Sequence, residues 1–112
     1  MILHLQENII HEIVGVLPNH WEKVTINIEI DSIDGEIVIS PKSKYFILGN
    51  IHEFSLEIDA TDGFEELREE MQKNDIQHSA WTICDLEILS DGTFNYQFSY
   101  GEAPRLASLR EC

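Results

Sequence analysis

Basic side chains are scarce in this sequence of 112 residues. Seven lysines and arginines stand against 21 aspartates and glutamates, which gives a formal net charge of -14. Nucleic acids and anionic membrane surfaces are polyanions, so this charge opposes binding to either of them. It favours fast, salt-sensitive association with a basic protein. The charge can also serve solubility, but solubility requires a magnitude of only about 2–8 in a small domain, so we favour a partner.

Cysteine is scarce as well. Only Cys84 and Cys112 are present, and their spacing matches no disulfide framework, which favours a reducing compartment over a bridge between them. The N-terminal segment lacks a basic start, and Gln6, Glu7 and Glu12 interrupt its apolar run. It therefore resembles neither a signal peptide nor a membrane span. We expect a cytoplasmic protein.

The sequence also lacks motifs for catalysis or metal binding. It contains no HExxH, HxH or GxSxG motif, and its six glycines are scattered rather than clustered in a phosphate-binding loop. His4 and His11 could share a helix face, but no third ligand is placed by spacing. Cys84 lies in a predicted strand and is expected to be a small core residue. We therefore predict no catalytic residue, no cofactor and no metal ion.

One pair of carboxylates lies where an acid–base pair could form. Asp85 and Glu87 are two residues apart and share one face of a predicted strand. We favour the interpretation that they form the solvated side of an antiparallel sheet. An enzyme would need a pocket in which one of these carboxylates meets a histidine, and the candidates are His20, His52 and His78.

In the first half of the chain, hydrophobic periodicity predicts one helix and three strands. Apolar residues at spacings of three and four predict a helix over 3–17. Alternation predicts a strand over 22–31, and Asp34-Gly35 signals a hairpin to a strand over 36–40. Pro41 and Ser43 predict a further turn before a third strand over 44–48. The stretch 51–58 fits either an edge strand or a loop.

In the second half, the pattern predicts a helix, a hairpin and a short C-terminal helix. The helix begins at Thr61 or Asp62, either of which can cap it, and runs to Asp75. Its narrow apolar stripe is formed by Phe64, Leu67 and Met71. The hairpin spans 80–100 and turns at 90–92, and a last helix begins near Pro104. The tryptophans, Trp21 and Trp81, each open a strand and are expected at the core or its edge.

Together these elements predict the fold class. Consecutive strands joined by short turns favour an antiparallel sheet, and helices at both ends can cover its apolar face. We predict a single α+β domain over 1–112, with a mainly antiparallel sheet flanked by an N-terminal helix and an acidic second helix.

The surface that remains for function is acidic. The second helix presents clustered carboxylates, and the last hairpin adds two more. Such a surface can imitate the phosphates that a nuclease or another basic protein binds, although an acidic helix face can also be merely solvated. The candidate partner-binding residues are Asp62, Glu65, Glu66, Glu69, Glu70, Asp85, Glu87 and Glu102.

Three segments resemble the YezG-like immunity protein family. They are 17–31 (LPNHWEKVTINIEID), 64–74 (FEELREEMQKN) and 80–101 (AWTICDLEILSDGTFNYQFSYG). The resemblance covers most of the chain, although the segment 49–60 is shorter than the family's usual one. Its markers are Trp21, Trp81, Asp91-Gly92, Phe94 and Tyr100.

The resemblance implies an antitoxin. Members of the family are non-enzymatic partners of polymorphic and contact-dependent growth inhibition toxins, which are often nucleases. It therefore implies an α+β domain that binds a cognate basic toxin domain, an RNase or a DNase, at the active site or at an exosite. We expect a monomer rather than a homodimer, with no direct contact to nucleic acid or membrane. The alternative is a small acidic adaptor or regulatory subunit that binds another basic protein.

Overall fold

A computed structural model describes residues 2–110 of the chain. Five strands form one antiparallel sheet in the order β3-β2-β1-β4-β5, and helices pack on it. This arrangement confirms the predicted α+β class. No helix in the described range is long and apolar enough to cross a membrane. The elements are α1 (Ile2–Val14), β1 (Lys23–Ile33), β2 (Glu36–Ile47), β3 (Asn50–Phe54), α2 (Ile58–Asn74), β4 (Ile83–Leu89), β5 (Phe94–Ser99) and α3 (Pro104–Arg110).

The core lies between one face of the sheet and the helices α1 and α2. Four alternate residues of the central strand β1 are buried there, and α1 and α2 cover them with buried side chains of their own. Burying each such side chain contributes about 1.5–3 kcal/mol, so this layer holds the fold together. These residues include Val24, Ile26, Ile28 and Ile30 of β1, Ile9 and Ile13 of α1, and Phe64 and Leu67 of α2.

The two aromatic markers near strand starts belong to this core, as expected. Trp81 is fully buried and packs its ring 5.4 Å from that of Phe98, while Trp21 is half-buried at the core edge. Cys84 is a buried free thiol, and burial raises its pKa, which removes its nucleophilic character. Cys112 lies outside the described residues.

Three hairpin turns join neighbouring strands in the described residues, and two of them lie where the sequence predicts a hairpin. Asp34 and Gly35 both have positive φ angles, of 54° and 83°, which is the pattern of a type I′ turn. Leu48 and Gly49 repeat it between β2 and β3, at 51° and 76°. The hairpin between β4 and β5 turns at 90–92, as predicted.

The predicted turn at Pro41 and Ser43 is wrong, because one strand, β2, runs straight through both residues. Pro41 pairs with Ile28 on the β1 side. On its other side β2 pairs with β3 only from Ser43 onward, so Pro41 lies where β2 is an edge strand. Edge positions tolerate proline because its missing N–H breaks no ladder hydrogen bond there.

The predicted caps of the second helix are also wrong. Helix α2 begins at Ile58, with Glu57 as the N-cap residue and no side-chain cap. Thr61 instead donates its hydroxyl hydrogen bond to the carbonyl oxygen of Glu57, at 3.2 Å. The extra turn buries Ala60 against the core, which outweighs the local capping preference. The stretch 51–58 is an edge strand only as far as Phe54, where β3 ends; residues 55–57 form a loop, and α2 begins at Ile58.

The first helix is shorter than predicted. It ends at Val14, and residues 15–17 form a turn whose N–H groups bond to α1 carbonyls. Leu3, the first apolar residue of the predicted range, is 59% exposed. The predicted stripe of α2 is confirmed, with Met71 half-buried beside two buried residues. The short helix at Pro104 is confirmed as α3.

Candidate functional site

The sheet has one covered face and one largely open face. Because side chains alternate along a strand, the β1 residues between the buried ones point away from α1 and α2. Thr25 and Asn27 of β1 lie on this open face, next to Asp85 and Glu87 of β4 in the strand register. Among the described elements, α3 packs there, against β1 and β2. We call the depression on this face the sheet groove; it has a volume of about 550 Å³.

Arg105 of α3 anchors that helix to the open face. Its guanidinium donates to Asn27 Oδ1 at 2.6 Å, to Ser40 Oγ at 2.9 Å and to the Ser40 carbonyl oxygen at 2.6 Å. It also forms an ion pair with Glu29, with 3.3 Å between Nη1 and Oε2. These contacts join residues that lie more than 60 positions apart in sequence. Arg105 is thus fixed in a single orientation at the end of the sheet groove.

Glu29 is the buried charge in this network. It is only 2% exposed, and its Oε1 accepts hydrogen bonds from the backbone N–H groups of Arg105 and Leu106, at 2.9 and 3.1 Å. A carboxylate in this position satisfies free donors in the first turn of α3 and complements the helix dipole. Sequence reasoning missed Glu29 because strand alternation placed it on a solvated face. No local signal in the sequence connects it with Arg105.

The network extends to one of the predicted site residues. Asn27 donates from its Nδ2 to Asp85 Oδ1 at 2.7 Å, while its Oδ1 accepts from Arg105. A chain of side chains therefore runs across three elements, from Glu29 through Arg105 and Asn27 to Asp85. Such a chain fixes the rotamers of its members and lowers the entropy cost of binding to them.

Two lysines line the β2 side of the sheet groove. Lys42 pairs with Asn27 in the strand register and Lys44 pairs with Thr25. Within residues 2–110, neither lysine forms an ion pair, and the one that the structure shows joins Arg105 to Glu29. The groove therefore has positive charge at one wall, and it has Asp85 and Glu87 at the other.

A second surface lies between α1 and α2, and all of its charged lining residues are acidic. Four carboxylates line a groove of about 190 Å³, and no lysine or arginine lines it. We call it the acidic groove. Two of these residues, Asp62 and Glu66, were predicted from the sequence. The other two were not, because Glu12 lies on a different helix and Asp59 lies before the predicted start of the second helix. The four residues are Glu12, Asp59, Asp62 and Glu66.

The remaining carboxylates of α2 are partly compensated. Arg68 lies on the same helix and donates from Nε to the carbonyl oxygen of Trp81, at 2.6 Å. Burial lowers the pKa of this guanidinium, and nearby carboxylates, including Glu65 and Glu69, oppose the shift. Arg68 therefore offsets part of the charge of Glu65 and Glu69, whereas no lysine or arginine lines the acidic groove that holds Asp62 and Glu66.

The structure divides the predicted site residues between two surfaces. Those of α2 lie on the helical side of the molecule, where Asp62, Glu66 and Glu69 are exposed and Glu65 and Glu70 are half-buried. Asp85 and Glu87 are exposed on the opposite face of the sheet, and Glu102 is exposed just before α3. The candidates therefore do not form one continuous patch.

The arrangements that catalysis or metal binding would need involve histidines and clustered carboxylates. None of the described histidines lines the sheet groove that holds Asp85 and Glu87. Over residues 2–110, no three or more His, Cys, Asp or Glu side chains gather in a geometry that could hold a metal ion. The chemistry of both grooves is thus that of charged, hydrogen-bonding surfaces.

Two known proteins are similar to this chain in sequence. No family model matches the chain. "Immunity protein YezG" of Bacillus spizizenii is 29% identical to it, and "Type VII secretion system protein EsaG" of Staphylococcus aureus is 28% identical. Both alignments cover 86% of this chain and 66% of the relative, so the chain spans just under two thirds of either relative's length. The resemblance expected from the sequence is thereby confirmed: this chain is similar to the YezG-like immunity proteins.

Proposed function

We propose that this chain is an immunity protein that binds and neutralises a cognate toxin domain through its acidic surface. In this proposal residues 1–112 act as a single immunity-type domain in the cytoplasm, as a monomer, without a cofactor and without catalysis. The similarity to a protein named as an immunity protein supports the role. The observation that carries the electrostatic mechanism is the acidic groove, in which four carboxylates face solvent with no basic side chain among them.

The proposed toxin is a basic nuclease. A nuclease must bind phosphates, and it does so with clustered lysines and arginines. The row of carboxylates on α2 and the acidic groove offer these cations an alternative anion. A chain with a net charge of -14 also attracts a basic domain over a distance and raises the rate of encounter. Candidate contacts are Asp62, Glu65, Glu66, Glu69 and Glu70, joined by Glu12 and Asp59.

The secretion route of such a toxin is a separate question. The sequence resemblance implied contact-dependent growth inhibition as one setting. The printed name of the staphylococcal relative refers instead to a type VII secretion system. The proposal therefore specifies a cognate secreted toxin and favours the type VII setting over the contact-dependent one.

A binding experiment with charge-neutral variants tests the proposal. The products of the genes adjacent to the gene for this chain are first tested as partners, and a toxin domain found among them is inactivated and immobilised. Association is then followed over a series of salt concentrations. The test variant is Asp62→Asn/Glu66→Gln in the acidic groove. The matched control is Asp34→Asn/Glu36→Gln, which removes the same charge at the exposed β1–β2 hairpin.

The proposal predicts different rates for the two variants. At low salt the groove variant associates about tenfold more slowly than the wild type, and the control stays within about twofold, because local charge dominates steering at short range. If association slowed equally for both variants, the acidic groove would act only through its share of the net charge and would not be a specific contact surface. Absence of wild-type binding to any neighbouring toxin would refute the immunity role and favour the adaptor alternative.

A further inference from the structure

Basic residues are concentrated on the open face of the sheet. By strand alternation and register, Lys23, Lys42 and Lys44 lie on that face, and Arg105 packs against it. These are four of the seven basic residues in the sequence. The clustered carboxylates of α2 are on the other side of the molecule. The open face therefore carries both signs of charge, whereas no lysine or arginine lines the acidic groove.

The two lysines of the sheet groove are available to a ligand. Lys42 is exposed and Lys44 is half-buried, and neither forms an ion pair within the described chain. This is unexpected in a sequence with three acidic residues for every basic one. Glu53 is the register partner of Lys44 on β3, but the two do not form an ion pair. An ammonium group outside an ion pair can bind a carboxylate of another molecule.

The opposite wall of the groove has complementary chemistry. Asp85 is oriented by the amide of Asn27, which is itself fixed by Arg105, and Glu87 lies beside it on β4. Lys42 and Asp85 are both register partners of Asn27, so one strand separates them. With a strand spacing of about 4.8 Å, their Cα atoms are about 10 Å apart.

We propose that the sheet groove is the specificity site of this chain, and that it docks a segment of the toxin carrying both a carboxylate and a basic side chain. Lys42 and Lys44 bind the carboxylate, and Asp85 and Glu87 bind the basic side chain. This inference rests on the proposed immunity function and adds a second contact surface to it. The acidic groove attracts basic proteins in general, whereas a groove with both signs of charge rejects those without a carboxylate that matches its lysines.

Charge complementarity favours a protein segment over other occupants. A nucleic acid offers phosphates to the lysines but no cation to Asp85 and Glu87, and the net charge of -14 repels it. A second copy of this chain carries the same net charge, so its approach is also repelled. A folded basic domain offers both signs within about 10 Å on one helix or hairpin.

The decisive variant is Lys42→Glu, and its matched control is Lys73→Glu. Both lysines are exposed, and both substitutions change the net charge equally, but Lys73 lies at the end of α2. Binding to the inactivated toxin domain found as the partner in the test above is measured for both, with thermal unfolding as a check on folding. Long-range steering alone predicts that each variant binds a basic toxin at least as fast as the wild type.

The proposal predicts that one of the two variants, Lys42→Glu, binds the toxin more weakly than the wild type. Lys42→Glu raises the dissociation constant at least tenfold, mainly through faster dissociation, and Lys73→Glu leaves it within twofold. Glu87→Lys also weakens binding, and a toxin variant with one surface carboxylate changed to lysine restores binding of Lys42→Glu.

Several results would overturn the inference. Equal binding by the Lys42→Glu and Lys73→Glu variants would remove the groove from the interface while leaving the immunity function intact. A change in oligomeric state caused by Lys42→Glu alone would assign the groove to a second copy. Failure of the wild-type chain to bind the toxin at all would refute the proposed function, and the inference with it.

Discussion

The two faces of the sheet are stabilised by different physics. On the covered face, β1 contributes four alternating apolar residues, and two helices bury them. On the open face, the same strand contributes Asn27 and Glu29, which are fixed by Arg105 of α3 through hydrogen bonds and an ion pair. Apolar burial is non-directional and tolerates small shifts, whereas the Arg105 network requires each partner in place. One alternating sequence thus builds a packed layer and an oriented polar surface.

The largest expected effect lies on the covered face. Phe64 of α2 is fully buried between this helix and the sheet, and Phe64→Ala removes its ring and leaves a cavity. We expect a loss of about 3–5 kcal/mol in the free energy of unfolding. Chemical denaturation measures it. A loss below about 1 kcal/mol would mean that the helices do not form the main core with this face.

The next effect lies on the open face. Arg105→Ala leaves the carboxylate of Glu29 buried without its cation, so we expect a loss of about 2–3 kcal/mol, below the cost for a fully buried pair because Arg105 is partly exposed. Replacing both partners, as Glu29→Gln/Arg105→Met, should cost less than Arg105→Ala alone. Denaturant unfolding of the three proteins checks the ranking. A double variant less stable than the single one would contradict the account of the network.

A smaller, stabilising effect is expected outside both faces. Leu48 has a φ of 51° in the β2–β3 turn and is 86% exposed, so its side chain packs on little while its backbone is strained. Leu48→Asn places a residue that tolerates this conformation, and we expect a gain of about 1 kcal/mol. The melting temperature should rise, and toxin binding should be unchanged. A fall in stability would show that the leucine makes a contact of value.

The smallest effect concerns the β4–β5 turn. The Thr93 hydroxyl donates to Asp91 Oδ1 at 2.7 Å, and this bond, together with that from the Thr93 backbone, lowers the pKa of Asp91 from its ordinary 3.8. A lowered folded pKa adds stability that is complete above pH 3.8 and is lost as pH falls through the folded value. Thr93→Val should raise the Asp91 pKa toward 3.8 and diminish this loss in acid, which NMR titration can follow. An unchanged titration would exclude the hydroxyl as the cause.

The sequence predicted the covered face better than the open one. Alternation in β1 identified all four buried residues, and Asp34-Gly35 identified the first turn, because both signals are local. Pro41 misled the prediction, since only the pairing of β2 with its neighbours shows that the proline lies at an edge.

The candidate site shows the same limit. Clustered carboxylates on α2 were visible in the sequence, but Glu12 joins the acidic groove only because α1 packs beside α2. The contact between Glu29 and Arg105 spans 76 positions and carries no periodic signal. Long-range polar contacts depend on the final fold, so sequence reasoning cannot find them from residue patterns alone.

The most direct test of the immunity function is a titration of toxin activity. The toxin domain found as the partner is purified in active form and mixed with increasing amounts of the wild-type chain, and cleavage of nucleic acid is followed. The account predicts that cleavage falls to background near one equivalent of chain and recovers as salt weakens the complex. Cleavage that continues unchanged at a large excess of chain would contradict it.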